Sequence, residues 1–153
     1  MALHPDCATY LKNSAEWFEA EGLPPWWQMT PAQARKIFHD GMIAGRPALP
    51  DMAVVEDRQI PTRAGKLPVR ILRPSSISSG PLPVIVYFFG GGYVIGGLDE
   101  SEHESRRLAL RTPAVVVAVG YRLAPEHKFP AAIEDAYDAV KWAGQHAAEF
   151  GGD

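Results

Sequence analysis

Two stretches of this chain are apolar at every position rather than at alternate ones: Val84 to Phe89 and Ala114 to Val119. A strand shows its residues to opposite faces in turn, so an unbroken apolar run belongs to a sheet covered on both sides, as in parallel sheets flanked by helices. Between the runs, residues around Ser101 to Arg111 read as a helix. After the second, FPAAIEDAYDAVKWAGQHAAEF opens at Pro130 and carries Ile133, Tyr137 and Val140 on one helical face before stopping at Gly151-Gly152. Strand, loop, helix, strand, loop, helix is the order of a parallel α/β sheet.

Upstream the period changes. AVVEDRQI and LPVRILR are strand-like, the second alternating Leu67, Val69 and Ile71, and PTRAGK between them reads as a hairpin connection. SSISSG is a surface loop. Further back, residues 6–21 place Cys7, Tyr10, Leu11, Ala15 and Phe18 at helical spacing, an amphipathic helix followed by the turn LPPWWQM. Thr30-Pro31-Ala32-Gln33 then marks a second helix start, with Thr30 as cap, Pro31 in the first position and Gln33 three residues after the cap. Ala34, Ile37, Phe38 and Met42 form its apolar stripe, and Gly45 is its expected stop. Residues 1–50 therefore read as a helical segment and 51–153 as the opening of an α/β domain, ending where the next parallel strand is due.

Composition narrows the function. With 153 residues, formal charge −3 and pI near 5.9, nothing favours nucleic acid or an anionic membrane electrostatically. The N-terminus lacks the basic and apolar regions of a signal peptide, and no run approaches the ~20 apolar residues of a membrane helix. The lone Cys7 allows no internal disulfide and fits a reducing compartment. A cytoplasmic protein is expected.

The chemistry-bearing feature is YFFGGGYVIGG, Tyr87 to Gly97, where a buried strand runs into almost bare backbone. Glycine loses more freedom on folding than any other residue, so such a run calls for a reason. A dinucleotide site needs G-x-G-x-x-G and an acidic residue ending the next strand. Here the third glycine falls one place late, at Gly96, and the next strand ends Val119-Gly120. A phosphate-binding P-loop needs Gly-Lys-Ser/Thr, and no lysine lies between Lys66 and Lys128. An oxyanion hole needs only backbone N–H groups brought close to a carbonyl oxygen that becomes charged, which bare glycine permits. A tight turn avoiding a neighbouring element remains the bland alternative.

About thirty residues on stands YRLAPEHKFPAAIEDA, Tyr121 to Ala136. These two motifs, with VEDRQIP and LPVRILRP before them, resemble the hormone-sensitive-lipase-like family of bacterial carboxylesterases, and the two leading helices resemble that family's N-terminal cap. The resemblance implies the N-terminal portion of an α/β-hydrolase fold, with the sheet incomplete in this chain. It implies hydrolysis of short or medium acyl esters by a serine nucleophile, with no cofactor or metal, and allows a homodimer. Gly90 and Gly91 would donate the oxyanion hydrogen bonds, Gly92 would shape the loop, and Arg122 and Glu126 would be structural.

Three departures stand out. Phe89 occupies the place of the family's loop-supporting histidine, and Gly120 the place where aspartate is frequent. The elbow G-x-S-x-G is missing: Ser14, Ser75, Ser76, Ser78, Ser79, Ser101 and Ser105 all lie outside it. In the family the elbow follows just beyond Gly151-Gly152-Asp153. The expectation is thus an esterase whose nucleophile, acid and base lie in a C-terminal remainder, in the same or a second chain. The alternative is an inactive remnant serving as a binding or interaction protein. Among other side chains, His4, His39, His103, His127 and His146 read as solvated. Trp17, Phe18, Trp26 and Trp27 would either line an acyl pocket or pack the cap on the body.

Overall fold

A computed structural model describes residues 2–44, 46–75 and 80–153. Gly45 and residues 76–79 of the expected surface loop lie outside them. Helix α1 spans Pro5–Ala20 and α2 Pro31–Ile43. Four strands follow, β1 Val54–Thr62, β2 Gly65–Arg73, β3 Val84–Tyr87 and β4 Val115–Val119, with helix α3 Glu102–Arg111 between β3 and β4 and α4 Ala131–His146 after β4. The sheet order is β1-β2-β4-β3, with β3 parallel to β4 and both other pairings antiparallel.

The α2 start forms as its sequence dictates: Gln33 N–H donates to Thr30 Oγ1 at 3.3 Å, and Thr30 N–H to Gln33 Oε1 at 3.0 Å. The hairpin is tighter than its sequence suggests. Pro61 and Thr62 pair with Lys66 and Gly65, leaving only Arg63-Ala64 as the connection. Gly65 sits at φ +119 and its carbonyl accepts from Thr62 Oγ1 at 3.0 Å, so the ladder continues to the turn.

The strand β4 is buried throughout, as its unbroken apolar run requires. Val115, Val117 and Val119 meet Ile60, Val69, Ile71, Trp142 and Phe150 on the α4 face, while Val116 meets Leu72 and Ala109 on the α3 face. The expectation of equal burial for β3 fails. All four of its residues are half-buried, because β3 lies at the edge of the sheet. One bridge touches that free edge. Leu82 N–H donates to Gly151 O at 3.0 Å and Asp153 N–H to Leu82 O at 2.9 Å, so Gly152 lies parallel beside Leu82. Arg73 supports the approach, donating from Nη1 to Gly151 O at 2.6 Å.

Two apolar helix faces are left uncovered by the described elements. No residue of α1 is buried: Tyr10 and Leu11 are exposed, and no described element covers them. In α4 the Ile133, Tyr137 and Val140 face points outward. The inward face is Ala131, Asp135, Ala139, Trp142 and Ala143, whose small residues allow close approach to the sheet and whose carboxylate meets Arg122. No described helix is long and apolar enough to cross a membrane.

Candidate active site

The loop Phe88 to Gly97 leaves the C-terminal end of β3, the end at which open α/β sheets bind ligands. Its path needs glycine at three points: Gly91 lies at φ +141, Gly92 at +60 and Gly96 at +98. Tyr93 adopts φ +62 as well, and its carbonyl accepts from Ala124 N–H at 2.8 Å. The N–H groups of Val94 and Ile95 both donate to Gly91 O at 3.1 Å. The N–H groups of Gly90, Gly91 and Gly92 have no acceptor among the described residues. They lie beside a cleft of about 420 Å³ lined by Phe88, Phe89, Tyr93, Tyr121, Ile133 and the glycines. A smaller one of about 240 Å³, which shares Phe89, Gly90 and Gly91, reaches Phe38 and Met42 of α2.

Phe89 is buried under this loop rather than standing at its mouth. Its ring stacks on Tyr121 with centroids 4.4 Å apart and planes 17° from parallel. Tyr121 Oη donates to the Phe89 carbonyl at 2.7 Å. Burial holds the Tyr121 hydroxyl above the usual phenol range, which keeps it a donor. Gly96 closes over the same ring: a Cβ there would stand 2.7 Å from Phe89 Cδ2 and 2.9 Å from Gly90 O. That late glycine has a packing reason, to admit the ring. Gly120 is also closely approached, since a Cβ would lie 3.0 Å from Pro68 Cγ.

The second loop is tied from two sides. Arg122 donates from Nη2 to Oδ1 of the buried Asp135 at 2.8 Å and from its backbone N–H to Oδ2 at 2.9 Å. Glu126 instead meets Arg35 of α2, with Arg35 Nη1 and Nη2 donating to its two oxygens at 2.7 Å each. Through this contact first, and through a backbone N–H, the Glu126 carboxyl is held down to about 2. Arg35 Nε also donates to Val94 O and Nη2 to Ala124 O, both at 2.8 Å. Arg35 carried no signal in the sequence, because its partners lie 59 to 91 residues away. Tyr121 was visible only as a motif member.

Among the described residues no nucleophile is assembled. Ser101, on the smaller cleft, donates to Gly97 O at 2.7 Å, and Ser105 donates to Ser101 O at 2.9 Å. Neither bonds to a histidine or carboxylate among the described residues. His39 is paired with Glu100 at 2.8 Å, and no described cluster of three or more His, Cys, Asp or Glu could hold a metal. Trp17, Phe18 and Trp26 pack on one another, with centroids 5.2 and 5.3 Å apart, and line neither cleft.

Comparison with known proteins agrees with this architecture. Residues 85–153 match a family model described as alpha/beta hydrolase fold. Carboxylesterase NlhH of Mycobacterium tuberculosis is 48% identical over 57% of this chain and 27% of its own length. Ethyl acetate hydrolase of Pseudomonas putida is 37% identical over 99% of this chain and 48% of its own length. Among solved structures, the ester-hydrolase EH1AB1 from the metagenome of Lake Arreo superposes with a TM-score of 0.89 at 32% identity, covering 99% of this chain and 48% of that one. The hyperthermophilic esterase of Pyrobaculum calidifontis gives 0.80 at 39% identity, covering 100% and 46%. The chain thus spans about half the length, or less, of the relatives it matches.

Proposed function

We propose that this chain, similar to carboxylesterases of the α/β-hydrolase fold, is part of a hormone-sensitive-lipase-like carboxylesterase and supplies the oxyanion hole of that ester hydrolase. The observation that carries the proposal is the set of N–H groups at Gly90 and Gly91, without acceptors among the described residues, beside a cleft at the end of β3. A serine Oγ attacks the ester carbonyl, a base takes the serine proton, and the carbonyl π pair moves onto oxygen. Gly90 and Gly91 donate to that oxygen as its charge develops, where one good donor is worth about 3 kcal/mol. Collapse expels the alcohol with the proton from the base, and water then releases the acid. Phe89 and Gly92 hold the loop, Phe89 by the stacking of its ring on Tyr121 and by the bond its carbonyl accepts from Tyr121 Oη.

The serine, its base and the orienting acid come from polypeptide beyond these 153 residues, in the same or a second chain. Such a polypeptide pairs along the free edge of β3, where Gly152 already lies beside Leu82. Its pairing removes an apolar edge of the kind folded proteins avoid. Short or medium acyl esters suit clefts of about 240 and 420 Å³, and a relative named for ethyl acetate hydrolysis supports the short end. The reaction needs no cofactor, and a cytoplasmic location and possible homodimer complete the proposal.

The test is hydrolysis of p-nitrophenyl acetate or butyrate by this chain together with a polypeptide that carries G-x-S-x-G. Turnover abolished by a serine-directed phosphonate is expected. No turnover from that assembly would favour the inactive binding remnant, a reading that the absence of G-x-S-x-G from these residues keeps in play.

A further inference from the structure

We infer that Arg35 is a positioning residue for the oxyanion loop, clamping it to the Tyr121–Glu126 loop from helix α2. The inference rests on the esterase reading for its catalytic consequence, but its geometry stands without it. One guanidinium reaches three groups from two segments far apart in sequence: Val94 O at 2.8 Å, Ala124 O at 2.8 Å, and Glu126 through two bonds of 2.7 Å. The clamp leads to the peptide that adjoins the proposed donors. Val94, whose carbonyl Arg35 holds, donates its own N–H to Gly91 O, which fixes the plane of the peptide that carries the Gly92 N–H. Ala124, held by the same guanidinium, donates to Tyr93 O. The peptide planes around Gly91 to Val94 are thus referred to one side chain.

A salt bridge this exposed contributes little to global stability. The Arg35 side chain is 32% exposed and that of Glu126 54%. Its consequence is local, in a loop of glycines whose backbone would otherwise sample many conformations. Only arginine suits the site. The planar fork serves a carboxylate and two carbonyls at once, whereas lysine brings one point charge on a flexible stem. The same helix also brings Phe38 and Met42 to the smaller cleft, so the element that holds the loop also borders the space in front of it.

The test compares Arg35→Lys and Arg35→Ala with the unaltered sequence by amide hydrogen exchange, each in the assembly with the polypeptide that carries G-x-S-x-G. Exchange at Val94, Ile95 and Ala124, whose N–H groups are hydrogen-bonded within the clamped loops, should rise about tenfold or more in both variants, while amides of β2 and β4 stay unchanged. In the active assembly, kcat for p-nitrophenyl butyrate should fall about 10- to 100-fold in both, with KM within about twofold, because a misaimed donor costs the transition state and not ground-state binding. Loop exchange unchanged in Arg35→Ala would overturn the inference. So would restoration of the loop and of kcat by lysine, which would reduce the role to charge. So would a uniform rise that includes β2 and β4, which would make Arg35 a general stabiliser. Should the assembly show no turnover at all, the esterase reading fails, and the loop exchange still decides the clamp.

Discussion

Gly96→Ala is the substitution through which the loop can be tested most sharply. Gly96 sits at φ +98, outside the range in which an L side chain is comfortable, which costs about 1–3 kcal/mol. The new methyl would also stand 2.7 Å from Phe89 Cδ2, 3.0 Å from Phe89 Cε2 and 2.9 Å from Gly90 O. Overpacking of this kind costs about 1–3 kcal/mol more. The ring is wedged on Tyr121 and Gly90 O is part of the loop, so relief must shift the loop itself. A displacement approaching 1 Å lowers kcat about 10²-fold. The assay is p-nitrophenyl butyrate turnover by the active assembly, with Phe89→Leu and the double variant completing a cycle. Leucine removes the ring clash and leaves the Gly90 contact, so the double variant should recover part of the loss, with a coupling of about 1–2 kcal/mol. Unaltered kcat in Gly96→Ala, or strictly additive single effects, would refute the view that Gly96 exists to admit the Phe89 ring.

Other consequences can be measured singly. Phe89→His should raise ester turnover with little change of fold if an imidazole N–H serves the loop better than a stacked ring; an equal or lower rate would show a site adapted to Phe89, whose stack on Tyr121 is worth about 0.5–1.5 kcal/mol. Asp135→Ala leaves Arg122 facing a vacated pocket and should destabilise the assembly by about 2–3 kcal/mol in denaturant unfolding, below the roughly 3–5 kcal/mol of a fully buried pair because Arg122 is partly exposed. The Glu126 carboxyl, held down to about 2 by Arg35, has a folded pKa below its ordinary value near 4.5. The contribution of the pair is therefore complete above about pH 4.5 and lost as pH falls toward 2. A carbon-13 titration of Glu126 with a midpoint near 4.5 would show the pair unformed in solution. Alone, the chain should not give a sharp, cooperative melt as a monomer, because the apolar β3 has one edge unpaired among the described residues. A sharp monomeric transition would contradict the need for a partner segment.

Much of this structure could be read from local patterns, and what could not has identifiable causes. Thr30 to Gln33 announced α2 because a capping box is satisfied within four residues, and Val115 to Val119 announced a buried strand because its apolar run has no alternative. Val84 to Tyr87 bears the same signature and is only half-buried, since burial of a strand depends on a neighbour that the strand does not encode. The orientation of α4 was not legible for a related reason. Ile133, Tyr137 and Val140 are the larger apolar residues, yet the sheet accepts Ala131, Ala139 and Ala143 together with the Asp135 that binds Arg122. At the site, the glycines were legible because each positive φ is a local demand. Arg35 and the Phe89–Tyr121 stack were not, since each joins residues from separate parts of the chain.

The central claim concerns where the N–H groups of Gly90 and Gly91 point, and a phosphonate adduct of the active assembly tests it most directly. The adduct places a tetrahedral phosphorus and its oxygen where an ester's reacting carbon and oxyanion would be. A crystal structure of it should show that oxygen about 2.7–3.1 Å from both the Gly90 and Gly91 nitrogens, with Phe89 still stacked beneath them. An oxygen directed away from both nitrogens, with the glycine N–H groups bonded elsewhere, would contradict the account.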